Sequence, residues 1–286
     1  MQILDAHLHL WDPAVLDYGW LSGDLDRAFG PEELGHALAG MSDDRAFIFM
    51  QADARADQAL DEVDWVASLP LPVRGLIAFA PLEEGARVSD HLAALTSRPR
   101  VVGVRRLLQS EAPGFALTPD FLTGAELVAA HGLVFDACVR GQAQLRDVAA
   151  LADALPQLSI VLDHLGKPTV GSAQAPASPA VDGWAQSMQD LAERPNVVCK
   201  VSGLPGESDG AFSAAQFEPF LDTALESFGA DRLLYASDWP ASFAGDTAAG
   251  YGTWEQIVRD WIASRGLDAD AVLRTNAERV YGLDPL

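Results

Sequence analysis

Residues 3–9 read Ile-Leu-Asp-Ala-His-Leu-His, a short apolar run that closes on two histidines. Its strand portion, Ile3–His7, has seven counterparts along the chain: Ala46–Gln51, Val73–Phe79, Val101–Leu107, Leu133–Val139, Ser159–His164, Val197–Ser202 and Arg232–Ser237. All are short and rich in Val, Ile and Leu, as strands buried on both faces of a parallel sheet must be. Between them lie stretches with helical spacing, clearest at Ala56–Leu69, Gln144–Ala154, Phe217–Phe228 and Tyr251–Ser264. Eight strand–helix units with no break in composition favour a closed (β/α)8 TIM barrel, one domain over residues 1–286, above an open doubly wound sheet.

Bulk properties narrow the function classes. Hydrophobic residues make up 49% of the 286 residues, enough for a large core. The formal charge of −22, from 41 acidic against 19 basic side chains, argues against nucleic acid or anionic membrane as a partner. It leaves a small-molecule substrate as the expected partner, and it carries no signal of oligomeric state. Cys138 and Cys199 each sit in an apolar run and are expected to be buried free thiols, which suits a reducing compartment. The chain enters its first strand at once, without a basic-then-apolar leader pattern, and has no apolar stretch of membrane-spanning length. A cytoplasmic protein is expected.

In a barrel of this kind, chemistry sits at the C-terminal ends of the strands. The first strand ends in His7-Leu8-His9, the sixth in Asp163-His164 and the eighth in Ser237-Asp238-Trp239-Pro240. Residues two apart on a strand point the same way, so both imidazoles of the HxH pair are expected at the mouth. Three imidazoles and a carboxylate on one rim are metal-ligand chemistry for a borderline cation such as zinc, with Asp238 placed to take a proton from water. Three irregular segments, Trp11–Gly30, Gly171–Ala180 and Leu204–Phe212, follow strand ends and read as loops or walls of a site.

Other side chains are weighed for substrate binding. Arg105 and Arg106 are adjacent, so only one can face the interior, where it would suit a carboxylate or a hydroxyl-rich substrate. Gln51, at the end of the second strand, could donate to a substrate hydroxyl or satisfy buried backbone. Trp11 and Trp239 flank the presumed ligands and could stack on a sugar ring or simply pack. Lys167 and Pro168 read as residues that order a loop. His36 and His91 lie in helical surroundings and read as surface or packing residues.

The segments DAHLHLWDP, MQADA, GVRRLLQ, FDACV, VLDHLGKP, CKVSGL, FGADRLLYASDWP and NAERVYGL, running from one end of the chain to the other, resemble the amidohydrolase superfamily. The resemblance is closest to its sugar-lactonase branch, the L-fucono- and L-rhamnono-lactonase-like proteins. It implies that His7, His9, His164 and Asp238 occupy active-site positions. It also implies hydrolysis of a lactone, with His164 and Asp238 catalytic and His7, His9 and Asp238 holding metal. Metal-dependent members commonly carry a histidine at the end of strand five and, when binuclear, a carboxylated lysine on strand four. Here strand five offers Asp136 and Cys138, His131 lies before that strand, and strand four offers arginines. The resemblance therefore implies one divalent metal, zinc first, or none. A lactone is an ester and hydrolyses far more readily than an amide, so a metal is dispensable in principle. After the strand-seven SGL, relatives tend to have Thr-Glu-Ala-Asp, whereas this chain has Gly206-Glu207-Ser208-Asp209, which makes Glu207 a further candidate for substrate contact. Two alternatives share the barrel: a metal-dependent decarboxylase or lactone isomerase acting on a small carboxylic acid, and a barrel that binds without catalysis.

Overall fold

The computed structural model describes residues Met1–Leu286. Eight strands, β1 Gln2–Leu8, β2 Asp44–Met50, β3 Val73–Phe79, β4 Val101–Arg105, β5 Val134–Ala137, β6 Ile160–Leu162, β7 Val197–Val201 and β8 Leu233–Tyr235, form one parallel sheet in chain order. Helices α1 Pro31–Ala37, α2 Ala59–Ser68, α3 Ser89–Thr96, α4 Pro119–Ala130, α5 Gly141–Ala154, α6 Trp184–Ala192, α7 Ala214–Phe228 and α8 Gly250–Ser264 make the crossovers and the outer layer. A π-helical turn, Ala271–Thr275, leads into a last short helix, α9 Asn276–Val280. The helices begin where local chemistry allows: Pro leads α1 and α4, and Ser213 with Gln216 forms a reciprocal cap at α7. β1 and β2 begin earlier than their apolar runs and β3 matches its run, whereas β4 to β8 are shorter because those runs continue past the last ladder hydrogen bond into the loops at the mouth. No helix is long and apolar enough to cross a membrane.

The barrel closes between β8 and β1 chiefly at the mouth. There the Asp238 amide donates to the His7 carbonyl at 2.8 Å and the His9 amide to the Trp239 carbonyl at 2.8 Å. Lower down, the Asp5 carboxylate stands in for a ladder partner. It accepts from the Ser237 amide at 2.8 Å and from the Tyr251 hydroxyl at 3.1 Å.

The core has two compartments. The larger lies between the sheet and the helices and contains Ile3, Leu8, Phe47 and Phe49. The smaller fills the barrel lumen with Leu4, Ala6, Ile48, Val134, Val161 and Val198, plugged below by Ala277 and Tyr281 from the C-terminal helix. This division exposes a local device. Leu4 and Ala6 face the lumen, so strict alternation would send His7 outward. Between Asp5 and Leu8 the pairing with β2 slips from Asp5↔Phe47 to Leu8↔Phe49, one extra residue on β1. Such a bulge re-aims the side chains that follow it. His7 and His9 consequently turn into the lumen while Leu8 packs outside.

Candidate active site

The mouth gathers four groups from three strand ends. The Nε2 atoms of His7 and His9 are 3.1 Å apart, and Asp238 Oδ1 lies 3.4 Å from the first and 3.3 Å from the second. His164 Nε2 completes the cluster at 3.7 Å from the same oxygen. All four residues are buried. Two of them stand beyond their strands rather than on them. β6 ends at Leu162, and residues 163–167 form a left-handed turn with positive φ at His164, Leu165 and Lys167. β8 ends at Tyr235, and Asp238 likewise has φ 58°. Such conformations are strained for residues with a Cβ and gather at functional sites. The turn holding His164 is tolerated because Gly203, itself at φ +76°, lies against it; a Cβ there would be 2.4 Å from His164 Cβ.

The far side of each ring sets its tautomer. His9 Nδ1 is 2.9 Å from the Met50 carbonyl and His7 Nδ1 is 3.1 Å from Asp163 Oδ1. The Met50 carbonyl only accepts, so His9 Nδ1 carries the proton. His7 Nδ1 also lies 3.2 Å from Lys200 Nζ, but that ammonium is held by Asp136 and Asp163. With the Asp163 carboxylate accepting, His7 Nδ1 carries the proton too, so both Nε2 atoms present lone pairs. His164 Nδ1 faces the Ser202 hydroxyl at 2.9 Å, a partner that can donate or accept. Two lone pairs 3.1 Å apart, facing a carboxylate oxygen, repel one another unless a cation lies among them. Arg105 Nη1 is 3.4 Å from His7 Nε2, too long to satisfy it. Asp238 Oδ1 is buried and accepts no hydrogen bond, whereas its Oδ2 takes one from Ser242 Oγ at 2.6 Å. An orphaned carboxylate oxygen among imidazole nitrogens is the donor set of a zinc-like ion, whose Zn–N bonds of ~2.0–2.1 Å two nitrogens at this separation can share. His7, His164 and Asp238 are mutually close enough to hold one ion, with His9 adjoining.

Charge agrees with that fit. Burial drives the His7 and His9 imidazoles below their ordinary range and His164 down to about 4, so all three are neutral at neutral pH. Burial pushes the Asp238 carboxyl up, but positive charge placed among His164, His9 and His7 outweighs it and holds the group well below the carboxylate range.

Beneath the cluster runs a sealed polar column. Lys200, fully buried on β7, pairs with Asp136 of β5 and lies 3.0 Å from Asp163. The Tyr281 hydroxyl donates to Asp136 from below at 2.8 Å. Burial alone would take the proton from Lys200, but Asp136 and Asp163 hold its pKa above the ordinary value. For Asp163, burial is likewise outweighed, by Lys200 first and then His7, and it stays ionised. Asp163 thus orients the His7 imidazole from behind, as the outer partners of metal-binding histidines regularly do.

Above the cluster opens a cavity of about 310 Å³ lined by His9, His164, Asp238 and Arg105, with Trp20, Asp53, Gln109 and Lys167 on its walls. That volume is at the lower end of small-molecule sites, ~300–1,000 Å³. Arg105 is the inward member of its pair, donating to the Gln51 carbonyl at 2.5 Å. Arg106 points away to Glu83 and Glu111, because successive residues of β4 face opposite sides, and it is removed from the substrate-binding set. Gln51 does not line the cavity; its Oε1 accepts from the Asp53 amide and its carbonyl anchors Arg105, so it supports the wall. Trp11 and Trp239 are fully buried, packed about Phe29, and their indole N–H groups donate to loop carbonyls; neither reaches the cavity. Glu207 pairs with Arg140 outside it. None of these five expected contacts lines the cavity: Arg106 and Gln51 are turned aside at strand ends, and the loops bearing Trp11, Trp239 and Glu207 take the side chains away from it.

Other residues at the site escaped the sequence reading. Lys200 was legible in part, since it shares the parity of lumen-facing Val198 on β7. Lys167, expected to order a loop, also lines the cavity, while Trp20 and Asp53 lie on loops that offer no periodicity to read.

Comparison with known proteins bears on this geometry. An L-fucono-1,5-lactonase of Burkholderia ambifaria is 33% identical over 292 residues, covering 98% of this chain and 96% of the relative. A second L-fucono-1,5-lactonase, from Burkholderia multivorans, is 31% identical with the same coverage. Among solved structures, an amidohydrolase from Burkholderia multivorans with bound zinc superposes with a TM-score of 0.85 at 29% identity, covering 99% of this chain and 100% of that one. The amidohydrolase family pattern matches residues 4–283. With the barrel, the strand-end histidines and Asp238 all falling inside that match, the chain belongs to the amidohydrolase family.

Proposed function

We propose that this protein is a lactonase that opens a sugar-acid lactone to the hydroxy acid, working with one divalent metal, zinc by preference. The observation that carries the proposal is the orphaned, ionised Asp238 oxygen set among histidine Nε2 atoms at the floor of a cavity of monosaccharide size. The names of the relatives supply the substrate class. His7, His9, His164 and Asp238 would hold the ion, which when bound would polarise the lactone carbonyl and acidify water.

The chain's own groups account for the proton movements. Asp238 is a carboxylate at neutral pH and is fixed through Oδ2 by Ser242, which leaves Oδ1 as the one carboxylate oxygen that would serve both the ion's site and the proton of attacking water. As the acyl–oxygen bond breaks, the same carboxyl returns that proton to the departing ring oxygen. Arg105 lines the same cavity, and its guanidinium would stabilise the negative charge that develops on the carbonyl oxygen. Its guanidinium is oriented in advance by Gln51, so little reorganisation is needed during reaction.

Acid release from L-fucono-1,5-lactone and related sugar lactones tests the reading. Asp238→Asn should lower kcat/KM roughly 10²–10⁴-fold with the fold intact. Release of CO2 from an aromatic acid, with no lactone turned over, would replace the lactonase by a decarboxylase. Near-normal turnover by the Asn variant would remove Asp238 from proton transfer.

A further inference from the structure

The chain contains 19 Lys and Arg residues, yet only two are lysine, Lys167 and Lys200, and both are at the active site. Lys200 is sealed under the histidines between two carboxylates. Lys167 is its opposite: it is partly exposed, lines the cavity, and forms no ion pair despite the protein's 41 acidic residues. Its one recorded partner is neutral, the Gln109 side-chain oxygen, which also receives the Cys138 thiol at 3.6 Å. An ammonium has three protons to donate, so two remain for whatever fills the cavity.

The backbone is distorted to bring it there. His164, Leu165 and Lys167 all have left-handed φ, a conformation that costs energy for residues with a Cβ, and the Lys167 amide closes the turn on the His164 carbonyl at 2.8 Å. Residues at the two ends of this turn, His164 and Lys167, both line the cavity. The choice of cation is informative as well. Arginine offers a planar fork that matches carboxylates, whereas an ammonium directs its protons tetrahedrally and suits hydroxyl oxygens. The remaining walls agree: Trp20, its indole N–H engaged by the Ala52 carbonyl, leaves an apolar ring face, and Asp53 offers an acceptor. One donor, one acceptor and an aromatic face suit a polyhydroxylated ring.

We propose that Lys167 is a substrate-binding, specificity-determining residue whose ammonium receives a ring hydroxyl of the lactone, with Gln109 as the prop that aims it. This rests on the lactonase reading, and the experiment separates the two. Steady-state kinetics of wild type and Lys167→Met are compared on L-fucono-1,5-lactone and on unsubstituted δ-valerolactone. The ratio of kcat/KM for the hydroxylated over the unsubstituted lactone should fall roughly 10- to 100-fold in the variant, chiefly through KM. Lys167→Arg should fail to restore that ratio. An unaltered ratio, or full rescue by Arg, overturns the proposal.

A second readout needs no turnover. In the folded wild-type protein, reductive methylation of Lys167 by formaldehyde and dimethylamine–borane is followed by mass spectrometry, with and without L-fuconate. Protection of Lys167 is expected, and its absence overturns the proposal. Protection without hydrolysis of any lactone would sink the lactonase reading and leave Lys167 as a binding residue. Hydrolysis without protection would do the reverse.

Discussion

The barrel interior handles buried charge in two ways. In the column below the histidines, every charge has an opposite neighbour: Lys200 sits between Asp136 and Asp163, and Tyr281 donates to Asp136. Behind the cavity wall, Glu62 of α2 is equally buried but has no cationic partner within ion-pair reach, only the Ala52 amide at 2.9 Å. The consequences diverge. Lys200 keeps its proton and Asp163 stays ionised, and burial lifts Asp136 to about 6 against Lys200 and Tyr281, whereas it pushes the Glu62 carboxyl up to about 7, with the Ala52 hydrogen bond offsetting only part. Buried charge persists where geometry compensates it; elsewhere the group moves toward neutrality. The column needs fixed charge because it orients His7. The wall needs only a hydrogen bond that fixes the loop carrying Asp53.

Breaking the column should have the largest effect. Lys200→Met leaves two carboxylates uncompensated and should cost about 3–5 kcal/mol of unfolding free energy, read by denaturant titration. A loss well under that would mean that the pairing contributes little. The next contrast is between stability and metal binding within the column. Asp163→Asn should weaken metal affinity roughly 10–100-fold, measured by competition with a chelator, because the Nδ1–H of His7 loses its anionic acceptor. Unchanged affinity would show that His7 keeps its orientation without Asp163.

The smallest effect belongs to the wall and sharpens the comparison through pH. The folded pKa of Glu62, about 7, exceeds its ordinary 4.5, so its contribution is most favourable below 4.5 and is lost as pH rises to about 7. Glu62→Gln can still accept from the Ala52 amide. It should therefore stabilise the protein at pH 8 by about 1–3 kcal/mol and leave stability at pH 4 unchanged. Equal effects at both pH values would mean that Glu62 titrates as an ordinary carboxyl.

Much of this was legible in one dimension. Apolar runs, helical spacing and polar residues at run ends are local properties, and they located eight strands, the HxH pair, His164 and Asp238. Arg105 against Arg106 was posed correctly as an either–or, since alternation guarantees that only one faces inward. Alternation could not choose which. Where the reading went astray it relied on nearness in sequence. Trp11 and Trp239 adjoin site residues in the chain, but their side chains follow loops that turn back on the barrel; Glu207 came from the resemblance instead, and its side chain goes to Arg140.

The HxH pair marks the boundary between the two kinds of information. The sequence by itself determined that two imidazoles, a third from strand six and a carboxylate from strand eight would converge on one rim, because parallel strands of a barrel all end on the same face. Only the tertiary structure decided that His7 faces inward, since this depends on a single extra residue in the β1 ladder and not on the alternation of β1 itself. It likewise decided the paths of His164, Lys167 and Asp238, whose directions are set by left-handed backbone beyond the strands, where side-chain periodicity no longer applies. Direction past a strand end is a property of packing, and packing is not written in any one segment.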